Sequence, residues 1–167
     1  ESLLNGSPTS KRLACSLNEN PPNQFDGVSV VDGLYKSLTC DGWESNSYGN
    51  NWNWRPDVPS HSAARGEVPL EREVVAAGTT GHWTCQMSTS SGVQGPNRHK
   101  RRAIDLVRRA AADRYAFIEL KVESDNPLYA IFEILSYALA YQHARQGGWK
   151  GTGTYNVMQA QELEFLV

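Results

Sequence analysis

The sequence predicts a mixed α+β domain in which a mixed β-sheet is flanked by helices. Three observations predict it. Two strand-like runs, residues 103–107 (AIDLV) and 115–122 (YAFIELKV), are separated by a segment short enough for an antiparallel hairpin. A long helical pattern follows at residues 127–146. A shorter one, residues 69–77 (PLEREVVAA), precedes them.

The chain has 167 residues, 40% of them apolar, enough for one domain with a real core. Residues 1–65 are rich in Ser, Asn, Pro and Trp and predict an irregular segment that packs on the core formed by residues 66–167. Within it, residues 28–31 and Gly33-Leu34-Tyr35 are short apolar stretches, and Asp32-Gly33 carries turn chemistry. Trp43, Tyr48, Trp52 and Trp54 stand among Asn and Ser. They read either as a loop held on the core by its aromatics or as a stacking platform for bases or sugars.

The helix over residues 69–77 is signalled by Pro69 near its start, acids in its first turn and Gly78 after it. Residues 82–87 read as a strand. Gly95-Pro96 then turns the chain into a basic run. The helix over residues 127–146 has a cap in Ser124-Asp125-Asn126 and a first-turn Pro127. Leu128, Ile131, Phe132, Leu135, Ala138 and Leu139 make one apolar stripe along it, and Gly147-Gly148 ends it. Glu133, Tyr137 and Tyr141, four residues apart, share another face and serve either packing or a neighbouring site. His143 stands near the helix end, where it interacts with the dipole. Residues 163–167 predict a last strand. With no initiating Met and a strand at its end, the chain reads as the trimmed, C-terminally shortened part of a longer one.

Net charge is −2, but its distribution is uneven. Between Arg98 and Lys121 there are eight basic residues (Arg98, Lys100, Arg101, Arg102, Arg108, Arg109, Arg114 and Lys121) against three acids (Asp105, Asp113 and Glu119). That surplus suits a polyanion, although a solvated basic loop would look the same. Three scattered cysteines without C-x-x-C spacing leave no complete disulfide framework and point to a reduced, cytoplasmic (intracellular) chain. The four histidines lack zinc-ligand spacing. No apolar run reaches membrane-spanning length. Residues 147–154 (GGWKGTGT) lack the order of a phosphate-binding loop.

The chemistry lies in the two strands. A hairpin centred near Ala112 puts Asp105 opposite Glu119, each seven positions from the centre, with Lys121 two residues on and on the same face. Directly opposed side chains have Cβ atoms roughly 4.5–5.5 Å apart. Two carboxylates that close repel unless a cation lies between them. Mg²⁺, for which Mn²⁺ can substitute, is a hard ion that accepts one or two carboxylates with water and phosphate oxygens. It lowers the pKa of bound water and stabilises charge on a phosphoryl oxygen. The competing reading is a surface ion pair of Lys121 with Asp105 or Glu119.

Ile104-Asp105-Leu106-Val107 followed by Phe117-Ile118-Glu119-Leu120-Lys121-Val122 resembles the core of the PD-(D/E)XK nuclease superfamily, and the helix at 127–146 stands where that family has its second core helix. The resemblance implies a restriction-endonuclease-like fold and a Mg²⁺-dependent endonuclease hydrolysing phosphodiester bonds through a metal-activated water. It implies Asp105, Glu119 and the Leu120 carbonyl as metal ligands, and Lys121 as the residue that assists the water. It further implies an acid from the first core helix, for which Glu71 is the candidate and Glu73 the fallback. Ile104 stands where the name-giving motif has Pro. DNA is the expected partner, gripped by Arg98, Lys100, Arg101, Arg102, Arg108 and Arg109, with RNA left open. Frequent dimerisation in the family leaves a homodimer as one arrangement. Two alternatives stand beside it: a non-catalytic module of the same fold that binds nucleic acid or protein, and a carbohydrate-binding role for the Trp-rich segment.

Overall fold

The computed structural model describes residues 26–38, 52–55, 66–78, 81–89, 103–122, 127–147 and 155–167. The elements are α1 (Gly27–Leu38), α2 (Glu67–Ala77), β1 (Trp83–Ser88), β2 (Ala103–Arg109), β3 (Arg114–Ile118), α3 (Pro127–Gln146), a 3₁₀ turn (Val157–Gln159) and β4 (Glu162–Leu166). The four strands form one mixed sheet in the order β1-β2-β3-β4. β1–β2 and β2–β3 are antiparallel, and β3–β4 is parallel. A parallel return needs a long crossover connection, and α3 lies within it. The fold is therefore mixed α/β, as the alternation of patterns predicts.

The β2–β3 hairpin pairs Leu106 with Ile118, Val107 with Phe117, Arg108 with Ala116 and Arg109 with Tyr115. Each pair is symmetric about Ala112, the centre predicted from the sequence. The connection is shorter than expected, because β2 runs on to Arg109 and Arg114 already belongs to β3. β3 in turn stops at Ile118, four residues before the predicted end at Val122. The cause is hydrogen bonding. The Glu119 N–H still donates to the Leu166 carbonyl at 3.0 Å, but the Leu120 N–H turns to the Asp105 carboxylate at 2.9 Å. A buried N–H needs an acceptor, and here a side chain supplies it where the ladder ends.

β2 is buried on both faces: Ile104, Asp105, Leu106 and Val107 are all 8% exposed or less. α2 lies against β1 and β2, and α3 lies on the Phe117 side, where the Tyr141 and Phe117 rings meet edge to face at 5.6 Å. α3 is apolar nearly all round, so its burial is wider than the predicted stripe. Ala130, Ile134, Tyr137, Tyr141 and Ala144 are buried along with Phe132 and Leu139, whereas Ile131, placed in the stripe by its spacing, is 47% exposed. The reason is that α3 meets the sheet on one side and α1 on another. The proposed cap, Ser124-Asp125-Asn126, lies outside the described residues.

Two readings of the N-terminal region are corrected. Residues 27–38 are not apolar stretches around an Asp32-Gly33 turn but a helix. Asp26 caps it, accepting from the Ser29 N–H at 3.2 Å and from the Ser29 hydroxyl at 2.6 Å, and Val30 and Leu34 bury one turn apart. Trp52 and Trp54 are core residues, 0% and 1% exposed, so they offer no stacking platform. The Trp52 N–H donates to the Ser88 carbonyl, the Thr84 hydroxyl to the Arg55 carbonyl, and the two indoles pack on Phe117, Tyr141, Tyr115 and Tyr155. Trp43 and Tyr48 lie outside the described residues. Among those residues, no helix is long and apolar enough to cross a membrane, and Cys85 is a buried free thiol.

Candidate active site

Asp105, Glu119 and Lys121 line one open cleft of about 320 Å³. Asp105 and Glu119 stand one step beyond the last β2–β3 pair, where the strands part. β4 holds the Glu119 backbone from the other side through the Leu166 carbonyl. Lys121 follows in the extended segment after β3.

Besides Ala103 of β2, the rest of the lining comes from three other elements: Glu67 from α2, Gln86 from β1, and Tyr129, Glu133 and Tyr137 from α3. The Lys121 ammonium lies 2.6 Å from Glu119 Oε1, 3.3 Å from Glu133 Oε2 and 3.5 Å from Glu67 Oε1. The Tyr129 ring lies beneath it, its centroid 5.3 Å away, and the Tyr129 hydroxyl donates to Glu133 Oε1 at 3.2 Å. One lysine thus ties together α2, α3 and the strand end.

The charge does not balance. Four carboxylates (Glu67, Asp105, Glu119 and Glu133) face one ammonium. Burial, then the charges of Asp105 and Glu133, push Glu119 up to about 9 against the pull of the Lys121 hydrogen bond. Burial pushes Asp105 up to about 6, opposed by the Leu120 N–H and Lys121 and helped by Glu67 and Glu133. Burial works against the Lys121 charge, but the Glu119 hydrogen bond, with Glu133 and Glu67, outweighs it and raises the ammonium above its usual range. Burial leads the upward shift of both acids and the neighbouring carboxylates add to it, whereas for Lys121 those same carboxylates outweigh burial.

A hard divalent cation fits this donor set. Glu119 is 2% exposed, and its Oε2 has no hydrogen-bond partner, an orphaned carboxylate oxygen that water does not reach. The carboxylates that make up the surplus offer oxygen ligands alone, which suits Mg²⁺ or Mn²⁺ better than zinc. Among the described residues no three His, Cys, Asp or Glu side chains converge as a ready ligand set. Mg²⁺ asks for less than that, one or two carboxylates completed by water.

Glu71, the acid expected from the first helix, is buried at 1% exposure but does not line the cleft. It accepts from Gln86 Nε2 at 2.7 Å, and burial raises its pKa to about 7. The cleft acid from α2 is Glu67, one turn earlier. Pro69 predicts a helix start, but the helix begins at Glu67, because Pro is tolerated inside a first turn, where its missing N–H would be unpaired anyway. Glu73, the fallback, is exposed. Gln86 carries no sequence signal. It takes a left-handed backbone at φ 53°, a conformation that costs a non-glycine residue about 1–3 kcal/mol, and its bond to Glu71 pins it.

Arg108 and Arg109 sit at the hairpin end of β2, three and four residues from Asp105; four residues of strand is roughly 13 Å. Arg108 is exposed, with its guanidinium 5.8 Å from the Trp83 ring centroid. Arg109 is spent on packing, 4.0 Å from the Tyr155 ring centroid. Arg98, Lys100, Arg101 and Arg102 lie outside the described residues. Tyr141, grouped with Glu133 and Tyr137 by its spacing, donates instead to the Val157 carbonyl at 2.9 Å, away from the cleft. No protein-family model matches this chain, and no curated protein or solved structure is similar to it.

Proposed function

We propose that the chain is a metal-dependent nuclease of the PD-(D/E)XK kind, hydrolysing phosphodiester bonds of DNA. One observation carries this reading: Asp105, Glu119 and Lys121 share a single cleft at the point where the hairpin opens. The order α2-β1-β2-β3-α3-β4, with only β4 parallel to its neighbour, supports a restriction-endonuclease-like core. Asp105, Glu119 and the Leu120 carbonyl would hold Mg²⁺ or Mn²⁺. The bound cation would supply a water of lowered pKa and charge neutralisation at the phosphoryl oxygens.

The protein's own residues do the rest. The Leu120 N–H orients Asp105. Lys121, kept charged by Glu119, Glu133 and Glu67, presents donors to a water or a phosphoryl oxygen. Tyr129 and Glu133 fix where the ammonium can reach. Exposed Arg108 offers charge for the nucleic-acid backbone.

The test is cleavage of plasmid and linear DNA by the full chain with Mg²⁺, with and without a chelator. Asp105→Asn, Glu119→Gln and Lys121→Ala should each abolish cleavage, with Lys121→Ala still binding DNA. Undiminished cleavage by Lys121→Ala would overturn the mechanism. A second reading, a non-catalytic module of the same fold, is favoured by one observation: Lys121 is committed to three carboxylates and Asp105 to a backbone N–H. It predicts DNA or protein binding with no cleavage under any divalent cation.

A further inference from the structure

We infer that Lys121 is a tethered counter-ion that stands in for the divalent cation and is displaced from Glu119 as the cleft loads. The inference rests on the reading of the cleft as a cation site, and it concerns how that site is held when empty of metal.

Four observations carry it. The ammonium lies within 3.5 Å of carboxylates from α2, from α3 and from the end of β3, so it neutralises charge from three directions at once. Its side chain is only 13% exposed, so this is not a solvated surface pair. Glu119 shares its charge unevenly: Oε1 takes the ammonium at 2.6 Å, and the buried Oε2 takes nothing. Lys121 therefore satisfies one oxygen of a carboxylate that lines the cleft and leaves the other without a hydrogen-bond partner. Finally, Tyr129 props the ammonium from below while its hydroxyl holds Glu133 in reach, a fixture for the inward position of the lysine.

Two cations held at contact distance by the single Glu119 carboxylate repel each other, whichever oxygen each one takes. A divalent ion entering between Asp105 and Glu119 would push the ammonium away from Glu119 and toward Glu133 and Glu67. The three-carboxylate ring thus serves two positions of one side chain. Cation affinity in the native protein is lowered by the work of moving Lys121, and the released ammonium is delivered to the mouth of the cleft only when the ion is in place. Coupling between two such events is typically worth a factor of 5–150.

The experiment is calorimetric titration of the full chain with Mn²⁺ alone, in the absence of DNA, for the wild type, Lys121→Met and Lys121→Arg. Met is unbranched and only one atom shorter than Lys, and it removes the charge; Arg keeps the charge. The expected result is Mn²⁺ binding at least about tenfold tighter in Lys121→Met than in the wild type, with Lys121→Arg no tighter than the wild type. Circular dichroism and thermal melting without metal establish that each variant is folded, and a Tyr129→Phe variant, which frees Glu133 but keeps the ring, should bind Mn²⁺ with an affinity between those of the wild type and Lys121→Met. Equal or weaker binding by Lys121→Met overturns the inference, as does equal tightening by Lys121→Arg. If the wild type binds Mn²⁺ and cuts DNA while Lys121→Met gains nothing, the counter-ion inference fails alone. If no form of the protein binds Mn²⁺, the cation-site reading fails and this inference with it.

Discussion

The Leu120 N–H rests on the Asp105 carboxylate at 2.9 Å, so the acid closes the ladder at the point where its two strands separate. Asp105 therefore has a structural duty and a chemical one, and the two can be separated by substitution. Asparagine keeps an oxygen that can accept from Leu120 but removes a buried charge whose pKa is raised to about 6. Asp105→Asn should melt higher than the wild type at pH 8 without divalent ions and should be dead in cleavage, a trade of stability against activity. Asp105→Ala, which leaves the N–H without an acceptor, should be less stable than Asp105→Asn by about 1–3 kcal/mol. Denaturant melts of the two variants side by side check this.

Glu71 gives a pH-dependent prediction away from the cleft. Its folded pKa, about 7, lies above the ordinary carboxylate value of 4.5 because the carboxyl is buried. Between those values the folded state holds a proton that the unfolded state has lost. The contribution of Glu71 is thus fully favourable below about pH 4.5 and disappears as pH rises through about 7. Glu71→Gln, neutral throughout and able to accept from Gln86, should be more stable than the wild type by roughly 2–3 kcal/mol at pH 8, with no such gain at pH 4.5. Urea melts at the two pH values read the difference directly; a gain independent of pH would mean that Glu71 does not titrate in this window.

Gly78 ends α2 and has Trp83 against it. A Cβ on Gly78 would fall inside the Trp83 indole, at its Cδ1 and Nε1 atoms. Gly78→Ala should therefore destabilise the fold by about 1–3 kcal/mol through overpacking. Gly78→Ala combined with Trp83→Leu should recover part of that loss in thermal melts.

Trp52 and Trp54 should behave as core and not as ligand-binding residues. Trp52→Ala should cost about 3–5 kcal/mol, as expected for emptying a fully buried aromatic site. Glycans should leave the wild-type melting temperature unchanged.

Divalent ions should stabilise the wild type by mass action, about 2.7 kcal/mol at a concentration one hundred times the dissociation constant. Glu119→Gln should lose most of that shift, and a chelator should restore the metal-free melting curve. A melting temperature indifferent to Mg²⁺ and Mn²⁺ would favour the non-catalytic module.

Much of this arrangement is legible in the sequence, for reasons that differ from residue to residue. The hairpin was readable because strand alternation and a short connection fix the register, which places Asp105 and Glu119 one step beyond Leu106 and Ile118. The bounds of α3 follow from Pro127 at its start and Gly147 just after its end. Its buried face does not, since a helix apolar on nearly every side gives the spacing argument no contrast, and Ile131 ends up in solvent. Glu67 was hidden because Pro69 looks like a helix start, although its spacing of four from Glu71 places both on one face. Gln86 could not be found at all: its left-handed backbone is imposed by tertiary contacts and has no counterpart in residue type. α1 was obscured by Asp32-Gly33, whose turn preference yields to the Asp26 cap and to burial of Val30 and Leu34.

β4 is the last strand in the chain, yet the carbonyl of its Leu166 seats the Glu119 N–H, and its opening residues are tied to the Asp113 carbonyl in the hairpin turn. The frame of the acidic cleft is accordingly non-local: Glu119 is held from both sides only once β4, distant in sequence, has docked alongside β3. A hairpin that already carries Asp105, Glu119 and Lys121 still lacks that frame, so the cleft takes its shape only after the long-range pairing of β3 with β4, a slower event than closing the hairpin itself.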